Sequence, residues 1–202
     1  APNAIQRNEA IAFLAGCIAL FIALVSPLHP LGESLFSAHM AQHELLMVVA
    51  APLLIFGRPL VPFLWALPIT WRRNLGQGAK SEWVQSPWRF LTNPVAAWIM
   101  HALVLWLWHA PPLFQATLTS DLVHAAQHLS FFLSALLFWW AVLHDRTGDA
   151  AGMNRGMALL YVFTTAVHTS ILGALLTFSP AVWYPAYTAT APDWGLTALE
   201  DQ

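Results

Sequence analysis

Two pentapeptides, His39-Met40-Ala41-Gln42-His43 and His124-Ala125-Ala126-Gln127-His128, recur almost unchanged inside long apolar stretches of the chain. On a helix an i, i+4 pair faces one way, with Cβ atoms about 5–6 Å apart, so two imidazoles reach one metal ion. Polar rings at membrane depth are costly and each needs a partner, which makes two matched pairs a candidate shared site. Gln42 and Gln127 match in position and are suited to orienting ligand imidazoles from behind.

The chemistry open to these residues is metal binding. Zinc, copper and iron all accept imidazole; Met40, Met47 and Met100 lie near the histidines, and thioethers tilt the reading toward copper over zinc. Haem is the rival. Two histidines about 6 Å apart along one helix cannot each serve a separate stacked haem, so one haem is feasible and a two-haem arrangement is not suggested. Glu44 is the one carboxylate inside an apolar span and points some 100° away from His43. It is open to pairing with His101 or His168, to accepting a proton, or to a plain structural hydrogen bond. No catalytic constellation beyond histidine is visible, and no catalytic residue is expected.

The elements that must hold these residues are membrane helices. The chain is 58% hydrophobic and 9% charged, with 11 Trp and 12 Phe in 202 residues, where a soluble domain carries nearer 25% charge. The expected fold is all-α, a polytopic bundle forming one integral membrane domain. Its five spans cover residues 9–27, 35–56, 94–110, 121–143 and 156–178, and Thr197 onward reads as the start of a sixth. Residues 57–93, rich in Pro, Trp and Arg, are expected to hold a short interfacial helix over about 58–90, with Trp65, Trp71, Trp83 and Trp88 at headgroup level. Residues 28–34 and 111–120 read as connections. Net charge is −2 without a basic cluster outside the loops, so nucleic acid is not an expected partner. A single cysteine, Cys17, excludes an internal disulfide.

All eight basic residues fall on one side of the five-span scheme: Arg7, then Arg58, Arg72, Arg73, Lys80 and Arg89, then Arg146 and Arg155. The positive-inside rule makes that side cytoplasmic. His39, His43, His124 and His128 then lie in the outer half of the membrane. His101 falls about 12 Å inward of His109, and His168 near the middle of span five. Spans two and three carry His39, His43 and His101; spans four and five carry His124, His128 and His168, a weak parallel repeat. These six are the candidate metal ligands. His29, His109 and His144 read as ordinary hydrogen-bonded histidines. Glu200-Asp201-Gln202 reads either as a ligand group at the outer mouth or as a capped helix start.

An ordered set of motifs runs along nearly the whole chain. It comprises Ser26-Pro27-Leu28, the first pentapeptide, Ala51-Pro52-Leu53-Leu54 with Gly57-Arg58-Pro59, and Trp106-Leu107-Trp108-His109-Ala110-Pro111-Pro112-Leu113. The second pentapeptide, Phe138-Trp139-Trp140 and Glu200-Asp201-Gln202 complete it. The set resembles the multi-pass CtaG-type cytochrome c oxidase assembly factors. That resemblance implies a role in supplying copper to a haem–copper oxidase in the bacterial cytoplasmic membrane. The implied partners are oxidase subunits and a copper donor protein on the outer face, alongside the lipid bilayer. Glu44 stands where members of the family carry an apolar residue, and the family's copper ligands do not transfer by motif, so the histidines rest on spacing. The alternatives are a metal or proton transporter, which requires polar residues in the inner half that the sequence scarcely offers, and an integral haem or copper oxidoreductase.

Overall fold

The computed structural model describes residues 5–143 and 153–202; among them every regular element is helical. His144 and Arg146, read above from the sequence, lie outside the described residues. Helix α1 (Arg7–Val25) opens with a capping box in which Gln6 and Glu9 satisfy each other's backbone donors. After it, α2 (Leu28–Ser34) leads into α3 (Phe36–Glu44), a π-helical stretch (Leu45–Ala50) and α4 (Ala51–Phe56), which together make one apolar helix of 21 residues. The wide turn has a local cause. Pro52 has no N–H to return to the preceding turn, and the indole of Trp139 donates instead to the Met47 carbonyl at 2.9 Å.

Among the described residues four helices are long and apolar enough to cross a membrane, Arg7–Val25, Phe36–Phe56, α10 (Asp121–Leu143) and α11 (Arg155–Thr177), and the chain is a membrane protein on that ground. The third expected span is α8 (Pro94–His109), started by Asn93, whose side chain accepts from the Val95 and Ala96 amides. Its 16 residues reach only about 24 Å. It qualifies as a fifth span together with α7 (Glu82–Leu91), from which it bends by 67°. The single interfacial helix expected before it is three helices, α5 (Leu60–Ala66), α6 (Ile69–Gly78) and α7, because prolines at 59 and 68 restart the chain. Trp65, Trp71, Trp83 and Trp88 are exposed on them, and the Arg72 guanidinium stacks 4.3 Å over the Trp65 ring.

The two stretches expected to be connections are short helices, α2 and α9 (Pro111–Thr117). Pro30 and the Pro111-Pro112 pair sit in first turns, where the missing N–H costs nothing, so those prolines start helices here rather than only ending them.

Packing centres on α10, which lies against α8 and α4; α1 packs on α4 and the π stretch, and α11 leans on α8. Helices α1 and α4 approach closely at Gly57, where a Cβ would stand 2.8 Å from the Phe13 backbone nitrogen. Arg58 approaches Glu9 at 3.8 Å, so the start of α1 and the end of α4 share one end of the bundle. At the other end residues 183–202 fold over the bundle. Tyr184 and Tyr187 pack with Phe36, Phe114, Leu172 and Leu176, the Phe114 and Tyr184 rings being 4.0 Å apart. Their hydroxyls donate to the carbonyls of His109 and Gly32, at 2.8 and 2.9 Å, and burial pushes both phenols up in pKa.

Candidate metal centre

Under that cover the two pentapeptides meet. They occupy the opening turns of α3 and α10, so the i, i+4 rule turns each pair into a two-ring face. The faces oppose each other. The rings of His39 and His43 are 4.4 Å apart, those of His124 and His128 4.3 Å, and His43 lies 5.1 Å from His128 across the helix interface. His39, His43, His124 and His128 are all buried. Among the described residues two triads have ligand atoms within 4.8 Å of one another: His39, His43 and His128, and His29, His124 and His128.

Hydrogen bonding decides which ring nitrogens are free. His39 Nδ1 donates to the Gly32 carbonyl at 3.3 Å, which makes Nε2 the acceptor nitrogen of the ring. A neutral imidazole has one N–H. The 3.2 Å contact of His39 Nε2 with the Gln127 amide is therefore satisfied by an amide nitrogen, and Gln127 Nε2 is otherwise unpartnered. Both nitrogens of His43, and Nε2 of His124 and of His128, are buried without a hydrogen-bond partner. Orphaned polar atoms of this kind are rare in native interiors and call for an explanation. Four of them on three adjacent imidazoles fit a metal.

Gln42 acts on His29. Its amide nitrogen donates to the Ala23 carbonyl at 2.6 Å and to His29 Nδ1 at 3.0 Å, so the His29 proton sits on Nε2. Gly32 permits this proximity, since a Cβ there would crowd His39 Cα at 3.2 Å and Gln42 Oε1 at 3.3 Å.

Beside His43 the ring of His109 is 6.4 Å away. Its Nδ1 donates to the Leu105 carbonyl at 2.7 Å, and its Nε2 lies 3.4 Å from Met40 Sδ. A cavity of about 700 Å³ opens here, lined among others by Met40, His43, Glu44, Met47, His101 and His109. Glu44 is exposed along that wall, with no ion pair among the described residues.

His101 and His168, expected among the ligands, belong to neither triad. His101 Nδ1 bonds Ser134 Oγ at 3.1 Å and its ring packs on Phe138. His168 stands edge-on to Trp98, its Nδ1 accepting from Trp106 Nε1 at 3.4 Å. His29 joins a triad although it read as ordinary. The signal for it was Glu33 four residues on, which shares its face once α2 is a helix.

Asp201 supports the site from outside. Its carboxylate accepts from the backbone N–H of Phe36, from that of Ser37 at 3.2 Å and from the Ser37 hydroxyl, capping the helix that carries His39 and His43. Gln202 ties the cover down, accepting from Trp183 N at 2.7 Å and donating to the Leu176 carbonyl at 3.1 Å. Glu200 caps its own short helix, α12 (Ala198–Asp201). The backbone and hydroxyl of Thr197 hold its carboxyl below the usual glutamate range.

The family model described as cytochrome c oxidase caa3 assembly factor matches residues 2–202. The chain belongs to the caa3 assembly factor family. Relatives include uncharacterized proteins of Mycobacterium bovis and Mycobacterium tuberculosis, each 27% identical over 207 residues, and one of Mycobacterium leprae at 26%. The alignments cover 99–100% of this chain and 31% of each relative, so the chain spans about a third of the length of the curated relatives it matches. No solved structure matches.

Proposed function

We propose that this chain, as one integral membrane domain of the bacterial cytoplasmic membrane, binds copper through its histidine cluster and assists copper insertion into a haem–copper cytochrome c oxidase. The observation that carries the reading is the meeting of the two pentapeptides, with unpartnered buried nitrogens on His43, His124 and His128. Membership of an oxidase assembly family supplies the destination. The ligands are His39, His43, His124 and His128, joined by His29. The Met40 thioether beside His109 favours a soft ion, Cu(I), over zinc.

The one-sided distribution of Lys and Arg supports an outward-facing cluster, the face from which an oxidase copper centre is loaded. The partners are then oxidase subunits and a copper donor on that face. The chain's own work is to strip water from the ion, hold it in buried imidazoles and release it by ligand exchange, with no change of oxidation state.

The test is made in cells. His43→Ala and His128→Ala strains are expected to insert the protein normally, because the apolar helices drive insertion, yet to carry an oxidase short of copper that added copper partly restores. Normal, fully metallated oxidase in both strains would sink the copper-donor reading.

A further inference from the structure

The two triads share His128, and the rings between them form a partition. On one side a cavity of about 400 Å³ is lined by His29, Glu33, Asp121, His124 and His128. On the other, the 700 Å³ cavity is reached by His43, with Met40 and His109 next to it. His39, fully buried, lines neither cavity and sits between them, 5.1 Å from His124 and 4.4 Å from His43 by ring centroids. Two exposed carboxylates, Glu33 and Asp121, therefore stand in the mouth of the smaller cavity. His124 and His128, whose Nε2 atoms are buried and unpartnered, line the same cavity. A mouth carrying two negative charges on low-dielectric walls concentrates cations and speeds their arrival. Nothing comparable lines the larger cavity except Glu44 and the cap Asp201, the latter already engaged by the start of α3.

Resting on the copper reading above, we propose that the cluster is a two-position relay for a single cation. The ion enters past Glu33 and Asp121, binds the His29–His124–His128 triad, and moves to the His39–His43–His128 triad by exchanging ligands around His128. It leaves toward the Met40 and His109 side. In this relay His128 serves both positions through one nitrogen, and because one imidazole nitrogen binds one ion at a time the two positions are mutually exclusive. Ligand atoms on one tetrahedral ion with bonds of about 2.1 Å lie about 3.4 Å apart, so rotations moving the rings by about an ångström close either triad.

The step balances without redox chemistry. Two nitrogen–metal bonds break, two form, and the bond to His128 persists. His29 is the conditional ligand. While Gln42 donates to Nδ1, Nε2 keeps its proton; ligation requires the amide to turn its unpartnered Oε1 to Nδ1 as the proton moves from Nε2 to Nδ1. The inner triad requires the Gln127 amide to release His39 Nε2 but no proton shift, so the ion rests there.

The test loads the purified full chain with Cu(I) alone, without oxygen, and reads stoichiometry and loading rate. Wild type is expected to hold one ion per chain. His39→Ala and His124→Ala each keep one, whereas His128→Ala, common to both positions, keeps none. The Glu33→Gln/Asp121→Asn double variant is expected to hold one ion yet load at least about tenfold more slowly at low salt, the gap narrowing as salt rises. Two ions per wild-type chain, an empty His39→Ala protein, or loading of the double variant at the wild-type rate would each overturn the relay and leave copper binding intact. A wild-type chain that takes up no copper would overturn the proposed function itself.

Discussion

Asp201 lies 165 residues from Phe36 in sequence yet holds the first turn of the helix that carries His39 and His43. Replacing it with Ala removes an acceptor of two backbone N–H groups and one hydroxyl at a site only 6% exposed. A lost cap costs about 1 kcal/mol, and a single hydrogen bond to a charged group contributes about 1.5–3 kcal/mol. Because water does not readily reach the orphaned Phe36 amide, about 2–3 kcal/mol is the working figure. For a chain of this size each kcal/mol moves Tm by about 2–4 °C, so Asp201→Ala is expected to melt about 4–12 °C lower in detergent. Asp201→Asn keeps the shape and loses the charge, and falls between. The assay is thermal unfolding followed by circular dichroism, with copper affinity measured alongside. An Asp201→Ala protein melting within about 1 °C of wild type would refute the capping argument and leave the carboxylate free for another role.

Gly32→Ala should push a methyl into His39 Cα and Gln42 Oε1, lowering stability by about 1–3 kcal/mol and weakening copper binding; unchanged melting and affinity would refute the close approach. Glu200 has its carboxyl pKa depressed by Thr197, so its contribution is present above the ordinary value of 4.5 and lost as pH falls through the lowered folded value. Carboxyl NMR titration should show that depression in wild type and its relief in Thr197→Ala. Reporter fusions within residues 57–93 should score cytoplasmic and those within 111–120 external; an external score for the first would reverse the depth assigned to the cluster.

The helical membrane class and the pairing of the pentapeptides were legible because both follow from periodicity: apolar runs set the spans, and i, i+4 spacing sets the faces. Convergence of α3 with α10 is a matter of tertiary packing, and spacing hinted at it only through the near-identity of the two motifs. His101 and His168 were drawn in by an apparent repeat, yet their helices turn them to Ser134 and to the indoles of Trp98 and Trp106. His29 was passed over because a Pro-flanked stretch read as a connection, whereas its prolines start a helix that carries the ring to His124. Glu200-Asp201-Gln202 read as an outer ligand group or as the capped start of its own helix, and Asp201 as the cap of α3 was in neither reading. That role depends on a contact across 165 residues that no local pattern encodes.

Copper K-edge X-ray absorption and metal analysis on the purified protein, wild type beside the His43→Ala/His128→Ala double variant, test the central claim most directly. The account predicts one copper per wild-type chain in an imidazole-dominated shell with nitrogen distances near about 2.0–2.1 Å, and loss of that copper in a folded double variant. A wild-type protein without copper, or a double variant that keeps the same copper in the same shell, would contradict it.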